Sequence, residues 1–401
     1  MSRFCSVPIA PPNPVLGLSR ECQLDPSPNK INLTVGAYKD ENGKACVLPS
    51  VRTAEGIVYN ENAGHEYLTQ DGYAPFLKVA QEILLGENSN IIKNNKVFTI
   101  QSISGTGSLR LGAEFLKTFY PNSTIYMTNP TWGNHPTIFQ HAGMKIDYYR
   151  YLDSSGSALD FDGMITDLKS CPMDSIILLQ MCAHNPTGVD PSAEQWDVIA
   201  DICKERNLFP FFDNAYQGFV IDPDTDAYSV RTFANKGISM LAACSFSKNF
   251  GLYGERTGVL HAIVQNDDEI MAVGSQLRQM ARPIYSTCPA FGARIVATIL
   301  GDPDLKKQWL AECKAIADRM LGVRNQLYNE LVAKNVKGKW EHVKKQNGMF
   351  SYTGLSEETV RRLKEEYHIY LLKSGRVNVA GLNDSNIHTF IDALLAILGT
   401  N

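Results

Sequence analysis

Apolar residues along this chain follow two rhythms, and the alternation between them predicts the architecture. Short apolar runs bounded by turn residues read as buried strands at 96–102, 124–127, 175–179, 208–212, 240–244 and 259–264. Between several of them the apolar positions recur at helical spacing, as at 109–120, where Leu111, Phe115, Leu116 and Phe119 fall near one face. A further helix opens at Ser192-Ala-Glu-Gln195, whose Ser and Gln stand three apart as a capping box. Strands alternating with helices predict an α/β fold, with a mostly parallel sheet covered by helices on both faces.

The two ends depart from this rhythm. The first 16 residues carry four prolines, which predicts an extended arm of the kind that lies on a partner subunit. Residues 31–38 alternate like a strand that breaks at Gly36, and Asp40-Glu-Asn-Gly43 supplies a turn. A helical pattern at 302–332, with Leu305, Trp309, Cys313, Ile316, Met320, Leu327 and Leu331 apolar, is long enough to bridge two domains. After it come short strands at 348–352, 368–372 and 377–380, a charged helix at 357–366 and a closing helix. The expected division is an arm (1–14), a large domain (47–315) and a smaller α+β domain built from N-terminal (15–46) and C-terminal (316–401) segments.

Composition narrows the partners. A net charge of −4 over 401 residues, with no run of five like charges, gives no footprint for nucleic acid or anionic membranes. The nine cysteines are an odd number without CxxC or other metal spacing, and they read as reduced thiols. No apolar run approaches a membrane span, and the start lacks the apolar core of a secretory signal, so the chain is expected to be cytoplasmic.

The candidate chemistry lies in the segments directly after the predicted strands. The strands lead in turn to Ser104-Gly-Thr-Gly107, Asn129-Pro-Thr-Trp132, His184-Asn-Pro-Thr-Gly188, Asp213-Asn-Ala-Tyr216 and Ser245-Phe-Ser-Lys248. Open α/β sheets bind ligands beyond the carboxyl ends of their strands, so five polar clusters there predict one site. Ser104-Gly-Thr-Gly107 offers hydroxyls and main-chain N–H groups suited to a phosphate, or it is a plain tight turn. Asp213 ends an almost wholly apolar run and needs a cation or donors, as a protonated ring nitrogen would supply, or it caps a turn. Lys248 among small and aromatic neighbours reads as an amine with a lowered pKa, a Schiff-base nucleophile, or as a solvated loop edge. Arg256, Arg282 and Arg376 each sit in a turn-like context and could fork onto phosphate or carboxylate, though a single such arginine is as readily a surface ion pair.

Taken together these strings resemble the class I aspartate aminotransferases, the alpha subfamily of the fold-type I pyridoxal phosphate enzymes. The resemblance runs from Pro12 to the C-terminus through Val35-Gly-Ala-Tyr38, His65-Glu-Tyr-Leu68, Ile103-Ser-Gly-Thr-Gly107 and Pro130-Thr-Trp-Gly-Asn-His135. It continues through Cys182-Ala-His-Asn-Pro-Thr-Gly188, Ala215-Tyr-Gln-Gly218, Gly251-Leu-Tyr-Gly-Glu-Arg256, Arg282-Pro-Ile-Tyr-Ser286 and Ser374-Gly-Arg-Val-Asn378.

The resemblance implies a homodimer with shared active sites and ping-pong transamination between L-aspartate and 2-oxoglutarate. Lys248 would hold pyridoxal 5'-phosphate as the internal aldimine and shuttle the proton. Asp213, supported by His135, would pair the ring nitrogen, Asn185 and Tyr216 would contact the ring oxygen, and Trp132 would pack on the ring. Ser104, Gly105, Thr106, Ser245 and Arg256 would hold the phosphate, with Tyr67 arriving from the neighbouring subunit. Tyr216 would count with Lys248 and Asp213 as catalytic, Arg376 would bind the α-carboxylate and Arg282, also from the neighbour, the distal one, with Trp132 and Asn185 also lining the substrate. Gly36 lies on a segment expected to close over substrate.

Two departures from the family pattern stand near the site: Gln180, where a histidine is common, and Thr287, in place of asparagine. Other readings are a related aminotransferase with broader, aromatic specificity, a catalytically silent homologue, and a serine acyl-transfer enzyme using Ser245-Phe-Ser-Lys248. The last also needs Ser-Asp-Asn and Lys-Thr-Gly strings, and neither occurs.

Overall fold

The computed structural model describes residues 3–401. The strands in chain order are β1 (Ile31–Asn32), β2 (Val97–Ile103), β3 (Thr124–Asn129), β4 (Lys145–Arg150), β5 (Ile176–Gln180), β6 (Phe209–Asn214), β7 (Met240–Ser245), β8 (Thr257–Ile263), β9 (Phe350–Tyr352), β10 (Ile369–Tyr370) and β11 (Arg376–Asn378). Strands β2 to β8 form one seven-stranded sheet in the order β2-β8-β7-β6-β5-β3-β4. Only β8 runs against its neighbours; the other six are parallel to one another. The α/β expectation therefore holds.

Successive residues of a strand face opposite sides, and the apolar clusters divide accordingly. Ile177, Leu179, Phe212, Ala242 and Val259 join one core, while Ile176, Leu178, Phe211, Ala243 and Leu260 join the other. Both faces are apolar because helices cover both. A third core gathers Ile31 and Leu33 from near the N-terminus with residues from Val323 to Leu394. Around it β1 pairs with β10 in parallel and β9 with β11 antiparallel.

The long helix spans Pro303–Ala333, and its apolar stripe changes partner along its length. Trp309, Cys313, Ile316 and Met320 pack with the sheet core, whereas Val323, Leu327 and Leu331 belong to the third core. Trp309 is fully buried, stacks on Phe250 at 4.6 Å and donates Nε1–H to the Asn249 carbonyl at 2.8 Å. One helix thus fixes the backbone just beyond Lys248.

Two local expectations differ from the structure, and one strand was not expected. Ser104-Gly-Thr-Gly107 is not a free turn: the helix begins at Ser104 itself and runs to Phe119, with Ser104 at φ 58° as the corner. The segment 31–38 forms a strand only over Ile31–Asn32; beyond it the Leu33 carbonyl accepts from the Asn378 main-chain N–H, and Val35 and Ala37 accept from Asn378 Nδ2. Finally, β4 is an edge strand with four of its six residues exposed, so it shows no apolar run to find.

Candidate active site

Because β2, β3, β5, β6 and β7 are parallel, the five polar clusters that come after them emerge at the same edge of the sheet. Register completes the convergence: Asp213 stands opposite Gln180 on one side and Ala243 on the other, and Ser245 stands opposite Gly258.

At one end lies a cluster of hydroxyls. Ser104 Oγ is 3.0 Å from Ser245 Oγ and 2.9 Å from Ser247 Oγ, all buried at the first turn of the helix Ser104–Phe119. Free N–H groups and three hydroxyls at a helix N-terminus favour an anion. The backbone comes close because two glycines allow it. A Cβ on Gly105 would stand 3.1 Å from Ser245 Cβ, and one on Gly258 would stand 2.6 Å from the Ser104 main chain. Gly107 lies behind the first turn, and Thr106 on it faces outward, exposed. Arg256, half-buried, adds a cation whose Nη1 donates to the Tyr253 carbonyl at 2.9 Å.

At the other end Asp213 is 8% exposed and accepts from His135 Nε2 at 3.0 Å. A carboxylate only accepts, so Nε2 carries a proton, and Nδ1 is hydrogen-bonded to the Thr131 hydroxyl at 2.8 Å. Trp132 meets His135 edge-on at 5.2 Å between ring centres and holds it in place. This arrangement fixes the Asp213 carboxyl in place with one oxygen uncommitted to His135.

Lys248 joins the two ends. Its Nζ lies 4.9 Å above the centre of the Tyr216 ring. Burial pulls its pKa down to about 8, the nearby charge of Asp213 opposes that shift, and Arg256 adds to it. The residue keeps partial exposure, so the amine borders an open cleft rather than a sealed core.

Tyr216 and Asn185 are buried beside it, with Asn185 Nδ2 donating to Tyr216 Oη at 3.4 Å. Burial raises the Tyr216 phenol well above its ordinary value, so it stays a proton donor. Asn185 Oδ1 accepts from Arg376 Nη1 at 3.1 Å, while Arg376 Nη2 donates to the Thr34 carbonyl at 2.6 Å and Nε has no partner among the described residues. The guanidinium lies 4.1 Å from the centre of the Phe350 ring, and burial lowers its pKa to about 10. Gly36 fits against the tip of that ring, where a Cβ would come within 2.8 Å of Phe350 Cζ.

Gln180 does not engage Asp213. Its amide closes on the backbone of Asn185, accepting from N–H at 2.8 Å and donating to the carbonyl at 3.0 Å. Thr287 is half-buried beyond the helix Asp267–Ile284, and its side chain makes no hydrogen bond among the described residues.

The structure therefore brings together Ser104, Gly105, Ser245, Arg256, Lys248, Asp213, Trp132, Tyr216, Asn185, Arg376 and Gly36. It does not bring Tyr67 or Arg282 to them. Tyr67 is 90% exposed, and Arg282 is exposed with its Nη1 hydrogen-bonded to Ser286 Oγ at 2.5 Å. Sequence reasoning missed two contributors. Ser247 stood in view without a role, and Phe350 lay in a short strand that was given none. Among the described residues no group of His, Cys, Asp and Glu could hold a metal ion, and no helix is long and apolar enough to cross a membrane.

Comparison with known proteins agrees with this geometry. The family model for aminotransferase class I and II matches residues 28–394. Mitochondrial aspartate aminotransferase of Dictyostelium discoideum is 45% identical over 99% of this chain and 94% of that protein. The cytoplasmic isozyme 2 of aspartate aminotransferase from Arabidopsis thaliana is 46% identical over 99% of this chain and 98% of that protein. Among solved structures, the aromatic-amino-acid aminotransferase of Burkholderia pseudomallei, covalently bound to pyridoxal phosphate, superposes with a TM-score of 0.96 at 40% identity, covering 99% of this chain and all of that one. With the sheet edge carrying lysine, aspartate and hydroxyls in one cleft and the match running through nearly every residue, the chain belongs to the class I and II aminotransferase family.

Proposed function

We propose that the chain catalyses ping-pong transamination between L-aspartate and 2-oxoglutarate, giving oxaloacetate and L-glutamate, with pyridoxal 5'-phosphate as cofactor. The observation that carries this is the depressed amine of Lys248 between a hydroxyl-lined anion cradle and a buried carboxylate. The donor set fits the cofactor. Ser104, Ser245, Ser247, Arg256 and the N–H groups at Gly105 and Thr106 suit its phosphate, Asp213 its protonated ring nitrogen, and Asn185 and Tyr216 its ring oxygen. When bound, pyridoxal phosphate supplies an electron sink that acidifies the Cα–H of the amino acid.

The chain's own groups do the rest. Lys248, neutral above a pH of about 8, takes and returns the Cα proton as a general base. Asp213, held by the His135 N–H, faces positive charge at the far end of the cleft. Arg376 presents its guanidinium toward a carboxylate, held in orientation by Asn185, Thr34 and the Phe350 ring.

The dicarboxylate preference rests on Arg282, which together with Tyr67 we assign to the cleft of a second copy. Both are exposed, and neither reaches the cleft of its own chain. The homodimer, the arm at 1–14 lying on its partner, and the division at 15–46, 47–315 and 316–401 belong to the same proposal. The third core of 31–33 and 323–394 supports the division. A second reading is broader, aromatic specificity. It is favoured by the exposure of Arg282, whose side chain is tied to Ser286 alone among the described residues and is free to swing aside. A cytoplasmic location agrees with the name of the Arabidopsis relative, the Dictyostelium one being mitochondrial.

The test is a steady-state panel of aspartate, aromatic and sulfinate donors against 2-oxoglutarate, with wild type beside Arg282→Asp. A fixed cation turned to an anion is expected to lower kcat/KM for aspartate by roughly a hundredfold or more and to spare aromatic donors. An unchanged aspartate rate removes the dicarboxylate assignment, and an equal aromatic rate in the wild type moves the chain to the second reading.

A further inference from the structure

Arg324 lies on the long helix Pro303–Ala333 and takes no direct part in the cleft. It is 1% exposed, and its hydrogen-bond acceptors are all main-chain carbonyls: Val343 at 3.2 Å, Asn347 at 3.1 Å, Gly348 at 2.8 Å and Phe350 at 2.5 Å. Burial pulls its pKa down to about 9, and the carboxylate whose charge opposes that shift is Asp190. Burying a guanidinium without a carboxylate in direct contact is costly, and apolar residues fill such sites at lower cost. Its presence at this point calls for a geometric reason.

The carbonyls it gathers supply one. They lie on the stretch that feeds directly into β9, and β9 pairs Phe350 with Asn378 and Tyr352 with Arg376 on β11. The same stretch grips the loop that carries Asn185. Asn347 N–H donates to the Gly188 carbonyl at 2.5 Å, and its Nδ2 donates to Asp190 Oδ2 at 3.2 Å. Asp190 in turn accepts from the N–H groups of Ala183 at 2.8 Å and His184 at 2.9 Å. There is no slack between the two segments: a Cβ on Gly348 would come within 2.4 Å of Ala183 Cβ, and one on Gly188 within 2.6 Å of the Phe350 carbonyl. A shift of 347–350 therefore moves Phe350, Arg376 and Asn185 together.

We propose that Arg324 is a positioning residue for carboxylate recognition: by holding the carbonyls of 343–350 it keeps Arg376 on β11 and Asn185 on its loop aimed at one substrate carboxylate. The inference rests on reading Arg376 and Asn185 as the α-carboxylate clamp.

The test uses the holoenzyme and the variants Arg324→Lys, Arg324→Gln and, as control, Arg376→Lys. Succinate, a dicarboxylate with no amino group to transfer, is titrated calorimetrically, and KM, kcat, melting temperature and the absorbance of the bound cofactor are recorded. Misaiming the clamp is expected to raise the succinate Kd and the KM for both aspartate and 2-oxoglutarate together, by between about tenfold and a hundredfold. Saturating kcat and the absorbance should stay within about twofold, because Lys248 and Asp213 hang on other strands. Lys, with fewer donors than Arg, should fall between wild type and Gln. Unchanged Kd and KM beside a lowered melting temperature, or failure of both Arg324 variants to fold, overturns the proposal, since the role is then structural. If wild type does not bind succinate, or Arg376→Lys binds it as well as wild type, the clamp reading fails instead.

Discussion

Lys248 shows how far one residue's chemistry conflicts with the stability of the chain that holds it. Its folded pKa of about 8 lies below the ordinary lysine value, so below pH 8 the folded protein carries a disfavoured charge. That penalty is fully present below the folded pKa and fades as pH rises from about 8 toward about 10.4, the unfolded value. In the cofactor-free protein Lys248→Met is therefore expected to stabilise by about 1–3 kcal/mol at pH 7, with the gain vanishing near pH 10.4. Denaturant melts at several pH values check this, and a variant less stable than wild type at pH 7 contradicts it. Acylation of Lys248, tracked by mass spectrometry, should rise with pH through a midpoint near 8, because only the neutral amine attacks. Residues of this kind were legible in the sequence where their chemistry clashed with their surroundings: a lysine after an apolar run, a carboxylate after Phe211 and Phe212. Arg324 was not, because a lone arginine in a long helical pattern reads like any surface one. Phe350 was not, because an aromatic in a strand reads as core whether or not a guanidinium stacks on it.

At the scale of elements, the polar clusters converge because the strands are parallel and backbones approach without side chains between them. Gly258 on β8 faces the Ser104 main chain, whereas Gly105 faces the side chain of Ser245. Backbone cannot move aside as a side chain can, so Gly258→Ala is expected to cost about 1–3 kcal/mol and Gly105→Ala less. Both should loosen phosphate binding, measured as the pyridoxal phosphate concentration needed to reconstitute the cofactor-free protein. If Gly258→Ala reconstitutes and melts like wild type, the close approach of β8 to the helix start is not what shapes the cradle. Gly36→Ala acts differently, since the added methyl meets the Phe350 ring, which supports Arg376. Its expected signature is a raised KM for both substrates with an unchanged melting temperature. The buried strands were legible because burial on both faces writes a continuous apolar run. The edge strand β4 and the glycine-rich helix start were not, since one has little buried surface and the other owes its shape to tertiary contact.

For the whole molecule the question is where Arg282 and Tyr67 act. Each is exposed on its own chain, yet with Arg256 beside the hydroxyl cradle, Arg376 is the one guanidinium left among the described residues of the cleft for substrates that carry two carboxylates. A two-fold dimer answers this if each subunit lends Arg282 to the other's cleft, because a self-complementary contact places the same residue in both sites. Lys248→Ala and Arg282→Asp then disable different halves of a site. Mixed and refolded together in equal amounts, the two variants form a hybrid in which one cleft carries both changes and the other carries neither. Random pairing makes half of the dimers hybrids, so about a quarter of the clefts regain a complete set. Aspartate activity should recover toward about that fraction of wild type, whereas each variant refolded alone stays far below it. Activity no higher than the average of the two separate variants would place Arg282 in its own subunit's cleft or outside the site altogether. The same mixture read with an aromatic donor separates the two specificities, since only a dicarboxylate requires the lent arginine.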